Sequence, residues 1–253
     1  MNIKEKKQPS GVIGPRLNMP LVKGFQEVTL IDWDKKIASI IFLGGCNLRC
    51  GFCHSSALAT ASESLETIPW EHISKFLLSK RGWIDGVVIT GGEPMLDKAG
   101  LFELVRTIKK MGLLVKVDTN GTRPDVLKEI IESKVADYIA MDIKAVFTQE
   151  KYLKATGVDV ALDDVIMSKN LLLSEKIDYE FRTTVVPGIV DIADIAEIAK
   201  AIKGAKKYCL QQFVPRDAID KSFLNVKPYS PDILTQMVSA ASEYLPNVVL
   251  KNI

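Results

Sequence analysis

The chain has 253 residues, of which 47% are hydrophobic and 25% are charged, a globular balance that excludes disorder, collagen and coiled coil as descriptions of the whole. Its 33 Lys and Arg residues against 31 Asp and Glu residues give a net charge of only +2, which excludes a strong electrostatic case for nucleic acid as the main partner. Because no apolar run is long enough to span a bilayer, no membrane partner is expected.

Residues 1–23 are rich in lysine, proline and glycine and show no hydrophobic period, so we interpret them as an irregular N-terminal arm. The sequence leaves open whether this arm is disordered or docked. It contains no apolar segment of the kind found in secretory signals. Together with three clustered cysteines, which are typical of a reducing compartment, this places the protein in the cytoplasm.

From residue 24 onwards, apolar β runs alternate with segments of helical periodicity. Strands are predicted over 37–43, 86–90, 113–118, 138–143, 179–185 and 208–213, with a last one at 248–250; helices are predicted over 69–79, 101–108, 125–133, 163–173 and 192–202, and after Ser230. Such alternation implies a parallel sheet with right-handed crossovers. No linker divides the chain, so residues 24–253 are predicted to form one α/β domain, an incomplete (β/α)6-type TIM-like barrel.

Polar or glycine-rich segments follow each predicted strand in turn. They are GGCNLRCGFCH, TGGEP, DTNG, DIK, RTTVVPG and QQF, in chain order. In β/α folds the active site lies at the carboxyl ends of the strands. We therefore expect these segments to line one cavity.

Cys46, Cys50 and Cys53 lie within eight residues, whereas Cys209 is distant and is expected to be a small buried hydrophobe. Three interpretations compete for the cluster. A structural zinc site would use the three cysteines with His54, although two adjacent ligands reach one ion awkwardly. CGFCH also matches the c-type haem pattern, which is normally found outside the cytoplasm. The third is a [4Fe–4S] cluster with three cysteine ligands and one iron left for another ligand.

The CxxxCxxC spacing, with Phe52 before the last cysteine and Gly-Gly-Glu-Pro one β/α unit later, resembles the radical S-adenosylmethionine (radical SAM) superfamily. The resemblance covers the chain from Gly24 onwards. It implies that Cys46, Cys50 and Cys53 hold a [4Fe–4S] cluster whose fourth iron binds SAM. It also implies reductive cleavage of SAM to a 5′-deoxyadenosyl radical, which abstracts a hydrogen atom from the substrate.

The same resemblance assigns roles to residues around the cysteines. Gly91, Gly92 and Glu93 would form the edge that accepts hydrogen bonds from the SAM ammonium group. Phe52 would pack against the adenine. His54 would contribute its backbone more than its ring.

Asp118-Thr119-Asn120-Gly121 and Asp142-x-Lys144 resemble motifs of the glycyl-radical-enzyme activases, such as pyruvate formate-lyase activase. The resemblance implies a monovalent cation held by Asp118, Thr119, Asp142 and the carbonyl of Ala140, with Asn120 in the same SAM-binding motif. It also implies a hydrogen bond from Lys144 to SAM. Arg182 lies in a strand suited to burial and needs an anionic partner, either SAM or a structural aspartate.

The wider motif set resembles the activating proteins of anaerobic ribonucleoside-triphosphate reductase. This implies abstraction of a glycine Cα hydrogen on a partner glycyl radical enzyme, with an external flavodoxin or ferredoxin as the electron donor. One segment departs from the family: Asp32-Trp33-Asp34-Lys35-Lys36 stands where an Asp-aromatic-Pro-Gly-Lys turn is usual. In related activases that turn lies near the substrate.

The catalytic candidates are therefore Asp32, Lys144 and the three clustered cysteines. Two alternatives remain open. One is a radical SAM enzyme that acts on a small molecule, as the 7-carboxy-7-deazaguanine synthases do. The other is a non-enzymatic zinc or interaction module.

Overall fold

A computed structural model describes residues 18–174 and 177–251 of the chain. Its sheet has eight strands: β1 Val22–Thr29, β2 Ala38–Leu43, β3 Gly86–Gly91, β4 Leu114–Thr119, β5 Tyr138–Asp142, β6 Asp178–Val185, β7 Tyr208–Gln212 and β8 Val248–Lys251. Its α-helices are α1 Ser56–Ala59, α2 Trp70–Ser79, α3 Lys98–Lys110, α4 Pro124–Ser133, α5 Gln149–Thr156, α6 Leu162–Ser174, α7 Ile192–Ala201 and α8 Pro231–Ser242. Short 3₁₀ turns span Pro94–Leu96 and Lys221–Asn225.

The strands lie in the sheet in their order along the chain, from β1 to β8. β1 pairs with β2 in antiparallel fashion, and every later neighbour pair is parallel. Within residues 18–174 and 177–251, no ladder joins β1 to β8, so the sheet curves without closing. This confirms the incomplete barrel.

The seven predicted strands are confirmed, and none of their ends shifts by more than one residue. β1 was not predicted, and it begins at Val22, two residues before the expected start of the domain. Most of the predicted N-terminal arm, residues 1–17, lies outside the described residues.

Helix α5 was also missed, although its sequence carries both end signals. The hydroxyl of Thr148 accepts a hydrogen bond from the backbone of Lys151, and Gly157 ends the helix with φ +69°. No helix in the described ranges is both long and apolar enough to cross a membrane.

Alternation along the strands separates two apolar layers. Ile41, Val87 and Ile89 belong to the large core between the sheet and its helices. Ile40 and Val88, one position away, pack with Trp33 in a small cluster on the opposite face, inside the barrel. That cluster occupies the end of the barrel at which the strands begin, which we call the barrel floor. The opposite end, where the strands finish, is the mouth.

Candidate active site

A cavity of about 270 Å³ lies at the mouth of the barrel. It is lined by the predicted site residues Cys46, Cys50, Phe52, Cys53, His54, Gly91, Gly92, Glu93, Asp118, Thr119, Asn120, Asp142, Lys144 and Arg182. The structure thus brings together side chains that lie up to 136 residues apart in the chain, since Cys46 and Arg182 both line it. Ala140 is fully buried on β5 and is not part of the lining.

The cysteine loop is fixed by backbone hydrogen bonds on both sides. Gly45 N–H donates to the carbonyl of Leu58 (2.8 Å), and Cys46 N–H donates to that of Ala59 (3.0 Å), which ties the loop to α1. Further along, Arg49 N–H donates to the carbonyl of Thr156 at the end of α5 (2.8 Å). The loop therefore holds its shape through the chain's own contacts.

Gly91 and Gly92 pass so close to the cysteine loop that no side chain fits there. Gly91 has φ +121°, and a Cβ at Gly92 would lie 1.8 Å from the carbonyl oxygen of Gly45. The backbone N–H of Glu93 donates to that same carbonyl oxygen (2.8 Å). Two glycines are required here because the turn after β3 and the loop after β2 are in direct backbone contact.

The carboxylate of Glu93 joins the turn after β3 to the end of β4. It accepts hydrogen bonds from the hydroxyl of Thr119 (2.8 Å) and from the backbone N–H groups of Asn120 (2.6 Å) and Met95 (3.0 Å). Burial raises the pKa of Glu93 to about 7, although these hydrogen bonds act in the opposite direction. The side chain thus fixes the cavity wall, and its contact with a SAM ammonium group stays a prediction.

Burial raises the pKa of the Cys46 thiol, and it raises the pKa of Cys50 to about 11. The nearby ammonium of Lys144 lowers both. Iron binds thiolates rather than thiols, so loading a metal at this loop releases protons. Lys144 is the cation positioned to offset the negative charge that results.

A row of alternating charges lines the wall opposite the cysteines. Lys144 Nζ lies 2.9 Å from Asp142, Arg182 Nε lies 2.8 Å from Asp142, and Arg182 Nη1 lies 2.9 Å from Asp118. Burial on its own raises the pKa of Asp142, but the charges of Arg182 and Lys144 hold it well below its usual range. Both ion-pair partners of Arg182 in the structure are therefore aspartates, and a contact of Arg182 with SAM stays a prediction.

These pairs bear on the predicted cation site. Of its expected ligands, Asp118 and Asp142 already pair with Arg182, and the hydroxyl of Thr119 donates to Glu93. The monovalent cation stays a prediction.

The cavity fits the group that the motifs imply. Asp118 Oδ1 and His54 Nε2 are buried without a hydrogen-bond partner among the described residues, and both residues line the cavity. Asp118 Oδ1 has a longer contact, an ion pair with Lys116 Nζ at 4.0 Å. No group of three or more His, Cys, Asp or Glu side chains in those residues is arranged around a single metal ion. A four-iron cluster holds its cysteines further apart than one zinc ion does. The cavity offers three cysteines on one wall, the Gly91–Gly92 turn and charges of both signs. These features suit an iron–sulfur cluster with a zwitterionic ligand.

A second cavity, of about 560 Å³, adjoins the first at the open edge of the sheet. The two share Arg182 and Gln211. Asp32, predicted to be catalytic, lines this second cavity and not the first. The neighbouring Trp33 is buried, and its ring centroid lies 5.9 Å from that of Tyr138.

Sequence reasoning missed the charged residues below the cavity, Lys116 and Glu180. Both are almost fully buried, and Lys116 Nζ lies 2.8 Å from Glu180 Oε1. Strand alternation was the available signal, because Lys116 precedes Asp118 by two residues and Glu180 precedes Arg182 by two.

Comparison with known proteins agrees with this geometry. Residues 40–209 match the family model of the radical SAM superfamily. The chain belongs to the radical SAM superfamily. That range contains the whole cysteine loop, the Gly91–Gly92 turn and the charged row from Asp118 to Arg182.

Of three relatives of this radical SAM protein, two are activating enzymes by name. A protein of Methanocaldococcus jannaschii with the provisional name glycyl-radical enzyme activating enzyme is 35% identical over 239 residues, which cover 92% of this chain and 96% of the relative. The pyruvate formate-lyase-activating enzyme of Clostridium pasteurianum is 29% identical over 51% of this chain and 54% of its own. The 7-carboxy-7-deazaguanine synthase of Methanospirillum hungatei is 38% identical, but the match covers only 41% of this chain and 40% of the synthase.

A solved structure with the same fold is SuiB of Streptococcus suis, bound to its precursor peptide SuiA. It aligns with a TM-score of 0.65 and 15% identity, covering 84% of this chain and 48% of SuiB. At that identity the likeness shows the fold alone. The expected resemblance to radical SAM activases is thus confirmed by full-length sequence similarity to the archaeal relative.

Proposed function

We propose that this radical SAM protein activates a glycyl radical enzyme by abstracting a hydrogen atom from a glycine Cα. The observation that carries the proposal is the pair of adjoining cavities that share Arg182 and Gln211. The inner cavity is bounded by the cysteine loop, and the outer one is open at the unclosed edge of the sheet. A polypeptide loop that entered the outer cavity would lie beside the groups that hold the cofactor.

When bound, a [4Fe–4S] cluster supplies the electron that cleaves SAM to methionine and a 5′-deoxyadenosyl radical. Cys46, Cys50 and Cys53 would hold the cluster. The backbone of the Gly91–Gly92 turn would approach the SAM ammonium, and Lys144, which lines the same cavity, would donate a hydrogen bond to SAM. Phe52, buried on the same wall, would pack against the adenine. In the proposed reaction the glycine C–H bond would break, the hydrogen would go to C5′, and the unpaired electron would stay on the glycine.

The partner proposed from the motif set is the anaerobic ribonucleoside-triphosphate reductase. Similarity to the archaeal activating enzyme supports an activase but names no partner. The electron donor proposed is a flavodoxin or ferredoxin, because Cys209 is the only cysteine outside the cluster loop and is fully buried. The proposed site of action is the reducing cytoplasm.

The test is anaerobic reconstitution of the protein with iron and sulfide, followed by addition of SAM and dithionite. We expect 5′-deoxyadenosine by liquid chromatography. On addition of the purified anaerobic reductase, we expect a glycyl radical signal by electron paramagnetic resonance. Cleavage of SAM without a radical on the reductase would overturn this partner. Absence of both cluster and cleavage would overturn the activase proposal.

A small-molecule reaction is the second candidate, supported by the partial match to a 7-carboxy-7-deazaguanine synthase. It predicts turnover of a small molecule without any protein partner. The outer cavity argues against it, because that cavity is open to solvent at the sheet edge instead of enclosing a small substrate.

A further inference from the structure

The segment that departs from the activase family, Asp32 to Lys36, lies in the loop between β1 and β2 (residues 30–37, the β1–β2 loop). This loop is attached to the barrel interior at Asp32, whose carbonyl oxygen accepts a hydrogen bond from Lys116 Nζ (2.6 Å). Lys116 in turn pairs with Glu180, which is 2% exposed. Trp33 packs beside them on the barrel floor.

Asp34 makes a second attachment at the far edge of the sheet. One carboxylate oxygen lies 2.5 Å from Lys207 Nζ, just before β7, and the other lies 3.0 Å from Lys251 Nζ, at the end of β8. Lys207 also reaches Glu180 (2.7 Å). Partial burial on its own raises the pKa of Asp34, but the two lysines lower it to about 2, so the carboxylate is ionised at neutral pH. We call Asp34, Lys207 and Lys251 the clasp.

The clasp crosses the open side of the barrel. β1 and β8 are the two edge strands, and no ladder in the described ranges joins them. The clasp connects the loop after β1 to the strands at the other edge. It therefore fixes the position of the β1–β2 loop across the opening, a task that backbone hydrogen bonds perform in a closed barrel.

The clasped loop forms one wall of the outer cavity. Its residues Leu30 and Ile31 are 68% and 72% exposed, and Asp32 lies beside them. The opposite wall contains Arg182 and Gln211, which also line the cofactor cavity. A ligand in the outer cavity would therefore lie between the exposed apolar side chains of Leu30 and Ile31 and the side chains of Arg182 and Gln211.

We propose that the clasp is a positioning device for the protein substrate. It holds Leu30, Ile31 and Asp32 as a wall that seats the glycine-bearing loop of the partner against the cofactor cavity. This inference rests on the proposed function. Leu30 and Ile31 would contact apolar side chains next to the target glycine, so the partner loop is expected to be apolar at that point.

The test compares Asp34→Asn with the holoenzyme and with Glu129→Gln. Glu129 is a matched control, because it forms an ion pair with Lys98 on the outer helices at 2.5 Å and is exposed to a similar degree, 46% against 51% for Asp34. Hydrogen exchange of residues 30–36 is the first readout. We expect faster exchange in Asp34→Asn and no change in Glu129→Gln. Unchanged exchange in Asp34→Asn would overturn the clasp, whatever the partner.

The second readout is the yield of partner glycyl radical per 5′-deoxyadenosine formed. We expect Asp34→Asn to lower that yield about fivefold, the scale of one weak ion pair, and to raise KM for the partner more than it lowers kcat. Asp34→Glu restores the carboxylate and is expected to recover much of the yield. An equal loss in Glu129→Gln, or no loss in Asp34→Asn, would contradict a positioning role.

A double variant separates the clasp from general damage. If Asp34 and Lys251 act through one contact, Asp34→Asn/Lys251→Met lowers the yield no further than the worse single variant. Additive losses would overturn the shared role. If the wild-type protein cleaves SAM but forms no radical on the partner, both the proposed function and the proposed contact with a partner loop are wrong. The hydrogen-exchange result still tests whether the clasp holds the β1–β2 loop in place.

Discussion

The two ends of the barrel interior satisfy their polar groups differently. On the floor, Lys116, Glu180 and Asp32 pair with one another or with neighbouring chain groups. At the mouth, Asp118 Oδ1 and His54 Nε2 are buried without a hydrogen-bond partner in the part of the chain that the structure describes, and Lys116 Nζ lies 4.0 Å from Asp118 Oδ1. On the floor the polar groups are satisfied by other groups of the protein, whereas at the mouth some hydrogen-bonding atoms remain for a ligand. Substitutions at the mouth should therefore lower catalytic activity, and substitutions on the floor should lower the free energy of unfolding.

The largest effect is expected from Cys50→Ala at the mouth. It removes one of three proposed cluster ligands, and we expect loss of iron–sulfur assembly and of 5′-deoxyadenosine formation. Iron and sulfide content and product chromatography measure both. Cys209→Ala is the matched control, because Cys209 is also buried but lies on β7 away from the cavity lining. Normal SAM cleavage by Cys50→Ala would refute the cluster assignment.

Gly92→Ala should have the next largest effect. The added Cβ would lie 1.8 Å from the carbonyl oxygen of Gly45, so the turn after β3 must move away from the cysteine loop. We expect SAM cleavage to fall about 100-fold, as displacement of positioning groups commonly costs. In Gly204→Ala, where φ is +94° but the space is open, only about 1–2 kcal/mol of backbone strain is expected. Equal activity losses in the two variants would show that the loss does not come from the contact with Gly45.

On the floor, Glu180→Leu should destabilise the fold. It leaves the ammonium of Lys116, which is 1% exposed, without its hydrogen-bonded carboxylate and with Asp118 Oδ1 4.0 Å away, and we expect a loss of about 3 kcal/mol in the free energy of unfolding. Urea denaturation measures it. Lys116→Met/Glu180→Leu removes both charges and should recover part of the loss. Asp178→Asn, on the same strand but exposed, should change stability by less than about 0.5 kcal/mol.

The smallest effect is an acid-dependent one at the clasp. The pKa of Asp34 is lowered to about 2, so its stabilisation is complete above the ordinary carboxyl value and is lost as pH falls through 2. Because Asp34 is half exposed, we expect less than about 1 kcal/mol. Thermal unfolding at pH 5 and pH 2.5 should show a smaller acid loss in Asp34→Asn than in wild type. An identical loss would mean that the two lysines do not stabilise the ionised carboxylate.

The difference between the mouth and the floor of the barrel also explains which site residues could be predicted from the sequence. The mouth was predictable because its residues follow strands, and parallel strands place their carboxyl ends along one edge. Cys46, Gly92, Asp118 and Arg182 accordingly line one cavity, as expected. Asp32 was placed near the substrate by resemblance alone, and it lies in the adjoining cavity.

The floor was not predictable in the same way. Its partners are set by three-dimensional register across several strands, as in the contact of Asp34 with Lys251, 217 residues away. A strand pattern indicates which face Lys116 occupies but not which charge it meets. β1 escaped notice because an edge strand with a half-exposed pattern of glycine and charged residues has no clear alternation.

The order of the strands has a consequence for how the molecule is made. Each strand lies beside the one synthesised before it, so the sheet is able to grow from β1 as the ribosome delivers the chain. The contact between Asp34 and Lys251 joins the first turn of this sheet to its last strand. This second ion pair of the clasp thus forms only after every other strand has been synthesised, and until then the Lys207 ion pair alone holds the β1–β2 loop across the opening.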